Sequence, residues 1–404
     1  MTDKKRTQAE DSLLAAVADQ SGGAAWLGAL RGQAKARLAE EGLPTRRVES
    51  WKFTDLRAKL RDALAPAAPS KDIAVADAFA AVDGPAVTIV NGFLAPEASD
   101  LDALPDGVEA VSLAAALESD PASVQAGLSP SDGRALQDLN AALMTDGLVL
   151  RVAEGAKVER PLRIRYGASG EAAGAGVPAH HVRTLIALGA GASATVYETH
   201  AGPDSAPYLA NVVTDVTLAA GAALTHLRVQ AEGGSAMHLS GLDVRLASEA
   251  AYDGFLLTEG ASLSRSEARF DLAGAGARLG YHGASLLAGA RHGDVTTFID
   301  HAAPDCVSRE TFRSAIDDAA RGVFQGKILV RKGAQKTDGR MGAHALLLSP
   351  KAEADAKPEL EIYADDVQCA HGATSGDLDE DALFYMRSRG IDGETARALL
   401  INAF

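Results

Sequence analysis

The stretch Leu185-Ile186-Ala187-Leu188-Gly189-Ala190-Gly191-Ala192 and its echo Val216-Thr217-Leu218-Ala219-Ala220-Gly221-Ala222 decide how the fold is read. Each is a run of β-branched or apolar residues closed by small residues suited to a tight turn. The same form opens earlier, in Leu148-Val149-Leu150 with Gly155-Ala156. It continues in Val244-Arg245-Leu246 with Glu249-Ala250 and in Phe270-Asp271-Leu272 with Gly276-Ala277. The Gly/Glu-Ala markers advance by 36, 30, 28 and 27 residues. Strand, turn and strand at that repeat length suggest the stacked coils of a parallel β-helix, in which each coil buries its inner face only against its neighbours. A β-sandwich or jelly roll also places short strands between glycine turns. The pattern alone weighs the two equally.

Outward from this region the character changes. Residues 10–64 read as helices, with Leu13, Leu14 and Val17, then Trp26, Leu27, Leu30 and Leu38, at helical spacing. Gly42-Leu43-Pro44 ends that segment, and a second short helix is expected over Val48 to Leu64, followed by a linker-like run from Ala65 to Ser70. Ala86 to Val90 reads as a buried strand and Asp132 to Met144 as a helix. The β-rich region begins at Gly147. At the C-terminus, Asp377-Leu378-Asp379-Glu380 places acidic residues at a helix start, and Arg387-Ser388-Arg389-Gly390 ends that helix. Asp392 caps a second short helix bearing Ala396, Leu399 and Leu400. The organisation expected is therefore a mostly helical region over 1–146, a β core over 147–374 and a helical tail over 375–404.

Composition excludes several classes. The 404 residues are 47% apolar, which suits a globular chain, and no run approaches the ~20 apolar residues of a membrane span. A formal charge of −15 argues against binding nucleic acid, which needs a concentrated positive footprint. The basic stretch from Arg31 through Lys35, Arg37, Arg46, Arg47, Lys52, Arg57 and Lys59 to Arg61 reads as a solvated helical face or as a docking face for an acidic partner. Lys4-Lys5-Arg6 is followed by Gln8, Glu10 and Asp11 where a signal peptide would be apolar. With only Cys306 and Cys369, no disulfide framework suggests export, and the cytoplasm is the expected compartment.

The chemistry is sparse. Gly322-Val323-Phe324-Gln325-Gly326-Lys327-Ile328 has the wrong spacing for a phosphate loop and no hydroxyl for magnesium. Gly274-Ala275-Gly276-Ala277-Arg278-Leu279-Gly280 misses the dinucleotide fingerprint by one residue. His180 and His181 face opposite sides of any strand, and His200, His226 and His238 read as scattered core or surface residues. Cys369-Ala370-His371 differs: on a strand, residues two apart share a face, so thiol and imidazole stand about 7 Å apart at the backbone. Both ligate iron or zinc, but two ligands do not close a site. Cys306 reads as an inert thiol in a loop.

The C-terminal residues carry a resemblance. Pro358-Glu359-Leu360-Glu361-Ile362-Tyr363-Ala364-Asp365-Asp366-Val367, with Cys369 and His371-Gly372-Ala373-Thr374, resembles the signature of the SufD family of iron–sulfur cluster assembly proteins. Leu378-Asp379-Glu380 and Leu383-Phe384-Tyr385-Met386-Arg387-Ser388-Arg389-Gly390-Ile391 extend it. Asp300-His301, Pro304, Cys306 and Ser308, the block Lys336-Thr337-Asp338-Gly339, and Glu49-Ser50-Trp51-Lys52-Phe53-Thr54-Asp55-Leu56 are similar to further family elements. The resemblance implies a mainly β fold: a right-handed parallel β-helix flanked by N-terminal and C-terminal helical regions. It implies a non-catalytic scaffold of the SUF system, pairing with a SufB-like paralogue through the β-helix, with a homodimer as the option for the isolated subunit. A SufC-like ATPase would dock on the C-terminal helices at Leu383, Phe384, Tyr385 and Met386. A transient iron–sulfur cluster would form at His371 and Cys369, shared with the partner, with no cofactor of the chain's own. The competing expectation is a metal-dependent β-fold enzyme with a histidine-based centre.

Overall fold

The computed structural model describes residues 6–18, 24–70 and 75–404. Lys4 and Lys5 lie outside the described residues. The chain is 43% strand and 21% helix, and its core is a β-solenoid of about seven turns with helices at both ends. Successive strands alternate between two ten-stranded sheets. One runs from Val108–Ser112 at its N-terminal end to Glu353–Ile362, the other from Phe93–Leu94 to Gln368–Gly376. All pairings are parallel except the first in each sheet, where Val108–Ser112 meets Asp146–Val152 and Phe93–Leu94 meets Ala86–Val90. A jelly roll would be antiparallel throughout, so the parallel ladders remove that alternative.

The repeat seen in the sequence is the corner of each coil. Gly155, Gly191, Gly221, Glu249 and Gly276 take φ of 72°, 65°, 66°, 58° and 74°, the left-handed region that lets the chain turn from one sheet to the other. The series continues unannounced at Asp305 and Lys336, with φ of 60° and 64°. The residue after each marker points into the core: Ala192, Ala222, Ala250, Ala277 and Cys306 are fully buried and Thr337 nearly so. Cys306 is thus the fifth member of this column, and it lies, as expected, in the connection between His292–His301 and Val307–Ile316.

Inside, the coils stack side chains in register. Leu150, Ile186, Val216, Val244, Phe270, Ile299, Ile328 and Leu360 form one continuous row. Every member from Leu150 to Ile328 is buried, each worth about 1.5–3 kcal/mol. Leu360, on the last coil, is only half-buried.

Several N-terminal expectations need correction. Val48 to Leu64 does not form one helix: it holds a 3-10 turn at Glu49–Trp51, one helical turn at Leu56–Lys59, and the strand Leu64–Pro66. The run Ala65–Ser70 is no simple linker, because Leu64–Pro66 pairs with Val177–Ala179. Aromatic docking overrides helix propensity here: the Arg265 guanidinium stacks 3.9 Å from the Trp51 ring and donates to Ser50 O at 2.7 Å. Gln325 also donates to Ser50 O, and Lys357 pairs with Glu49. The Glu49–Leu56 motif therefore clamps the N-terminal region onto the sheet that leads to the last coil. The basic stretch is partly spent inside the molecule, since Arg37 pairs with Asp138, Arg57 with Glu10, and Arg31 donates to Met144 O.

Candidate functional site

The two last strands, Glu353–Ile362 and Gln368–Gly376, each pair on one side only, with Arg321–Val330 and Asp338–Leu347. Leu360 and His371 fall on these two separate strands, with a turn between them. Cys369 and His371 nevertheless share Gln368–Gly376. They lie in register with Gly339 and Met341, whose side of the strand faces the core. Met341 is 4% exposed, so the row bearing Cys369 and His371 continues the solenoid's inner face. With no further coil on top, that face opens outward. Cys369 is half-buried and His371 exposed.

The Cys369 sulfur sits 3.6 Å from the point a Cβ on Gly339 would occupy, so glycine there lets the thiol settle on the end of the core. Burial pushes the Cys369 thiol up, against the pull of the Gly339 backbone, which favours the protonated form. Further along the same strand, a cleft of about 160 Å³ opens between the sheets, bordered by Phe312, Phe324, Ala343, Ala356 and Ala373. His344 Nδ1 and Thr374 Oγ1, 2.7 Å apart, tie the last two strands of this sheet together.

The two edges differ. Glu353–Ile362 carries Lys357, Pro358, Glu359 and Glu361, residues that discourage a further strand. Gln368–Gly376 has no proline, lysine or carboxylate along its length, and seven of its nine residues are small or carry a hydroxyl. An unguarded parallel edge of nine residues is a template for another strand.

The tail forms two capped helices. Asp379 accepts from the backbone of Asp381 and Ala382 to start Glu380–Ser388, and Asp392 does so for Gly393–Ala403. Ala396 is buried, Arg397 reaches Leu348 O at 3.4 Å, and Phe404 lies under Arg313, so the second helix rests on the body. The first leaves Phe384 74% and Tyr385 58% exposed, with Leu383 and Met386 half-buried.

The interior histidines are less scattered than their spacing suggests. His226 Nε2 lies 3.1 Å from Glu198 Oε2, and its Nδ1 is 3.0 Å from the Tyr252 hydroxyl. Burial alone would raise Glu198, but His226 and His200 hold it well below the usual carboxylate range. His200, Glu232 and His238 come together at a coil corner. Their separations of 32 and 6 residues approximate one coil plus a turn, a signal available only once the coil length is known. Cys306 is enclosed, with its sulfur 3.4 Å from Gly274 O and its thiol pushed up by burial.

The comparisons with known proteins agree with this architecture. Residues 170–404 match the SUF system FeS cluster assembly SufBD core domain, and residues 15–164 the SufBD protein N-terminal region. The chain is 30% identical to an iron–sulfur cluster assembly SufBD family protein of Synechocystis, covering 98% of this chain and 86% of the relative. It is 31% identical to the iron–sulfur cluster assembly protein SufD of Escherichia coli, over 91% of this chain and 85% of that protein. The Arabidopsis thaliana protein ABCI7, chloroplastic, is 28% identical over 89% and 77%. Among the described residues no helix is long and apolar enough to cross a membrane. A two-sheet solenoid ending in an exposed Cys-x-His strand, matched along nearly its whole length, places the chain in the SufBD family of the SUF iron–sulfur cluster assembly system.

Proposed function

We propose that this chain is a non-catalytic scaffold subunit of a cytoplasmic SUF complex, supplying half of a nascent-cluster site at its interface with a SufB-like subunit. The observation that carries this reading is the position of Cys369 and His371 on the inward-facing row of an uncovered terminal strand. A thiol and an imidazole offer two of the ligands that iron or a sulfur-bridged iron unit requires. The missing ligands must come from whatever covers the edge, and a paralogous solenoid end adds its own strand and donors in one step. The cluster is cargo that passes on. A SufC-like ATPase docks on Phe384 and Tyr385, flanked by Leu383 and Met386; an ATPase partner also accounts for the wrong spacing of the phosphate-loop-like Gly322–Lys327.

The test uses the complex reconstituted with its SufB-like and SufC-like partners, with cluster loading followed by absorbance and iron content. His371→Ala is expected to lower cluster yield at least several-fold while the subunits still co-elute in gel filtration, and Cys369→Ser to lower it less. Full cluster yield in both variants would overturn the assignment of the site. Loss of co-elution with cluster formation intact elsewhere would assign the strand to assembly alone.

A further inference from the structure

We propose that His200, Glu232 and His238 form a binding site for a single divalent first-row transition ion, with zinc the ion that best suits the donors. The site is separate from the open end and the inference does not depend on the scaffold reading. One ring nitrogen of each histidine and a Glu232 carboxylate oxygen lie within 4.8 Å of one another. None of the three residues is more than 5% exposed. Two imidazoles and a carboxylate are a donor set that zinc accepts readily, whereas the hard cations prefer oxygen alone. Around an ion with ~2.0–2.1 Å bonds such donors stand about 3.3 Å apart, so loading draws the trio together by a side-chain adjustment.

Three further observations point to a ligand rather than a finished hydrogen-bond network. First, Glu232 is already oriented: its Oε2 accepts from Gln230 Nε2 at 2.6 Å, the outer-shell support typical of a ligating carboxylate. Its Oε1 lies 2.9 Å from His238 Nδ1. Second, His200 Nδ1 is a buried polar atom without a hydrogen-bond partner. Leaving such an atom unpaired costs about 1–3 kcal/mol, a penalty an ion or its bound water removes. Third, the surroundings hold the rings. Tyr166 stacks on His200 at 4.5 Å, and His200 meets His238 edge-on at 5.0 Å. A Cβ on Gly202 would fall 2.1 Å from the Tyr208 hydroxyl oxygen, so glycine there preserves the space.

The donors come from three passes of the chain. His200 lies near the end of Ser193–Ala201, Glu232 follows Ala223–Gln230, and His238 is the second residue of Met237–Leu246. One ion therefore cross-links consecutive coils at a corner where the chain makes its longer excursion from 201 to 208. Three protein ligands leave the fourth position of a tetrahedral ion to water, and the burial of the donors encloses it.

The test is metal analysis of the untagged full chain after dialysis against chelator and then against micromolar zinc. Roughly one equivalent per chain is expected, with X-ray absorption at the zinc edge showing nitrogen and oxygen neighbours and no sulfur. Gln230→Ala keeps all three ligands and is expected to weaken zinc binding roughly 10- to 100-fold. The double variant Cys369→Ser with His371→Ala is expected to retain the equivalent in full, and His200→Ala with His238→Ala to lose it. Wild-type chain that takes up less than a tenth of an equivalent overturns the proposal, as does a sulfur neighbour in the absorption spectrum or an ion that departs with Cys369. Because the absorption measurement uses the unaltered chain, it decides the matter even if the histidine variants fail to fold.

Discussion

Replacing Glu310 by glutamine should stabilise the protein above neutral pH and flatten its dependence on pH. Glu310 lies on Val307–Ile316, in register between Tyr281 and Met341, and is 2% exposed inside the solenoid. Its carboxyl oxygens lack a well-formed hydrogen bond, the Thr297 hydroxyl approaching only as a weak donor. Burial pushes its pKa from an ordinary 4.5 to about 8, with Thr297 pulling slightly the other way. Between those values the folded chain holds a proton that the unfolded chain has released. Stability from this group is therefore complete below about pH 4.5 and is lost as pH rises through about 8. At ~1.4 kcal/mol per pH unit the loss is on the order of 5 kcal/mol, a large part of a typical folding free energy. Glutamine keeps the shape and cannot ionise. Unfolding free energies from urea titrations of both proteins are expected to diverge from pH 5 to about pH 8 and to run parallel beyond it, with the variant several kcal/mol ahead at the alkaline end. Curves parallel over the whole range would refute the reasoning, and would mean that water or a rearranged neighbour solvates the carboxylate.

Two other outcomes follow from the geometry. Phe384→Ala with Tyr385→Ala removes two largely exposed rings, so the thermal midpoint should stay within about 1–2 °C while capture of the ATPase subunit in a pull-down falls at least several-fold. A fall in midpoint with binding intact would make the helix a packing element only. Cys306→Ala restores the residue type that fills the same corner in the four coils before it, so a loss of no more than about 1–2 kcal/mol is expected, with cluster assembly unchanged. Lost assembly in a stable variant would give the thiol a chemical role that its enclosure argues against.

The coil period was legible because its corners obey a local rule, although the period alone left a sandwich open and only the resemblance favoured the solenoid. Where glycine takes the left-handed turn and alanine the buried slot, as at Gly191-Ala192 and Gly221-Ala222, the period stands in the sequence. The series faded at Asp305-Cys306 and Lys336-Thr337 because other residues can adopt the same backbone, at a cost of roughly 1–2 kcal/mol each. The pairing of Cys369 with His371 was equally local, a consequence of strand alternation. The trio His200, Glu232 and His238 was not legible, because it depends on coil pitch and on where a nine-residue strand happens to end. Nor was the breakdown of the expected helix after Val48, which Arg265 imposes from more than 200 residues away through its stack on Trp51.

The proposed site on the last strand rests on the asymmetry between the solenoid's two ends. A stack of coils exposes an unsatisfied sheet edge and an apolar cross-section wherever it stops, and solenoids normally cover both. At the N-terminal end the cover is built in: Val108–Ser112 and Phe93–Leu94 pair antiparallel and end the ladders, and helices such as Leu113–Ser119 pack beside them. At the C-terminal end the described residues provide no such cap. The row that runs Tyr281, Glu310, Met341 goes from buried to exposed in a single step at His371. Burial of that row below the last coil fixes the backbone that carries Cys369 and His371, and the missing cap leaves their ligand atoms reachable. A second chain that seals the end would bury the edge and complete the ligand set in the same act, which would make cluster assembly conditional on association.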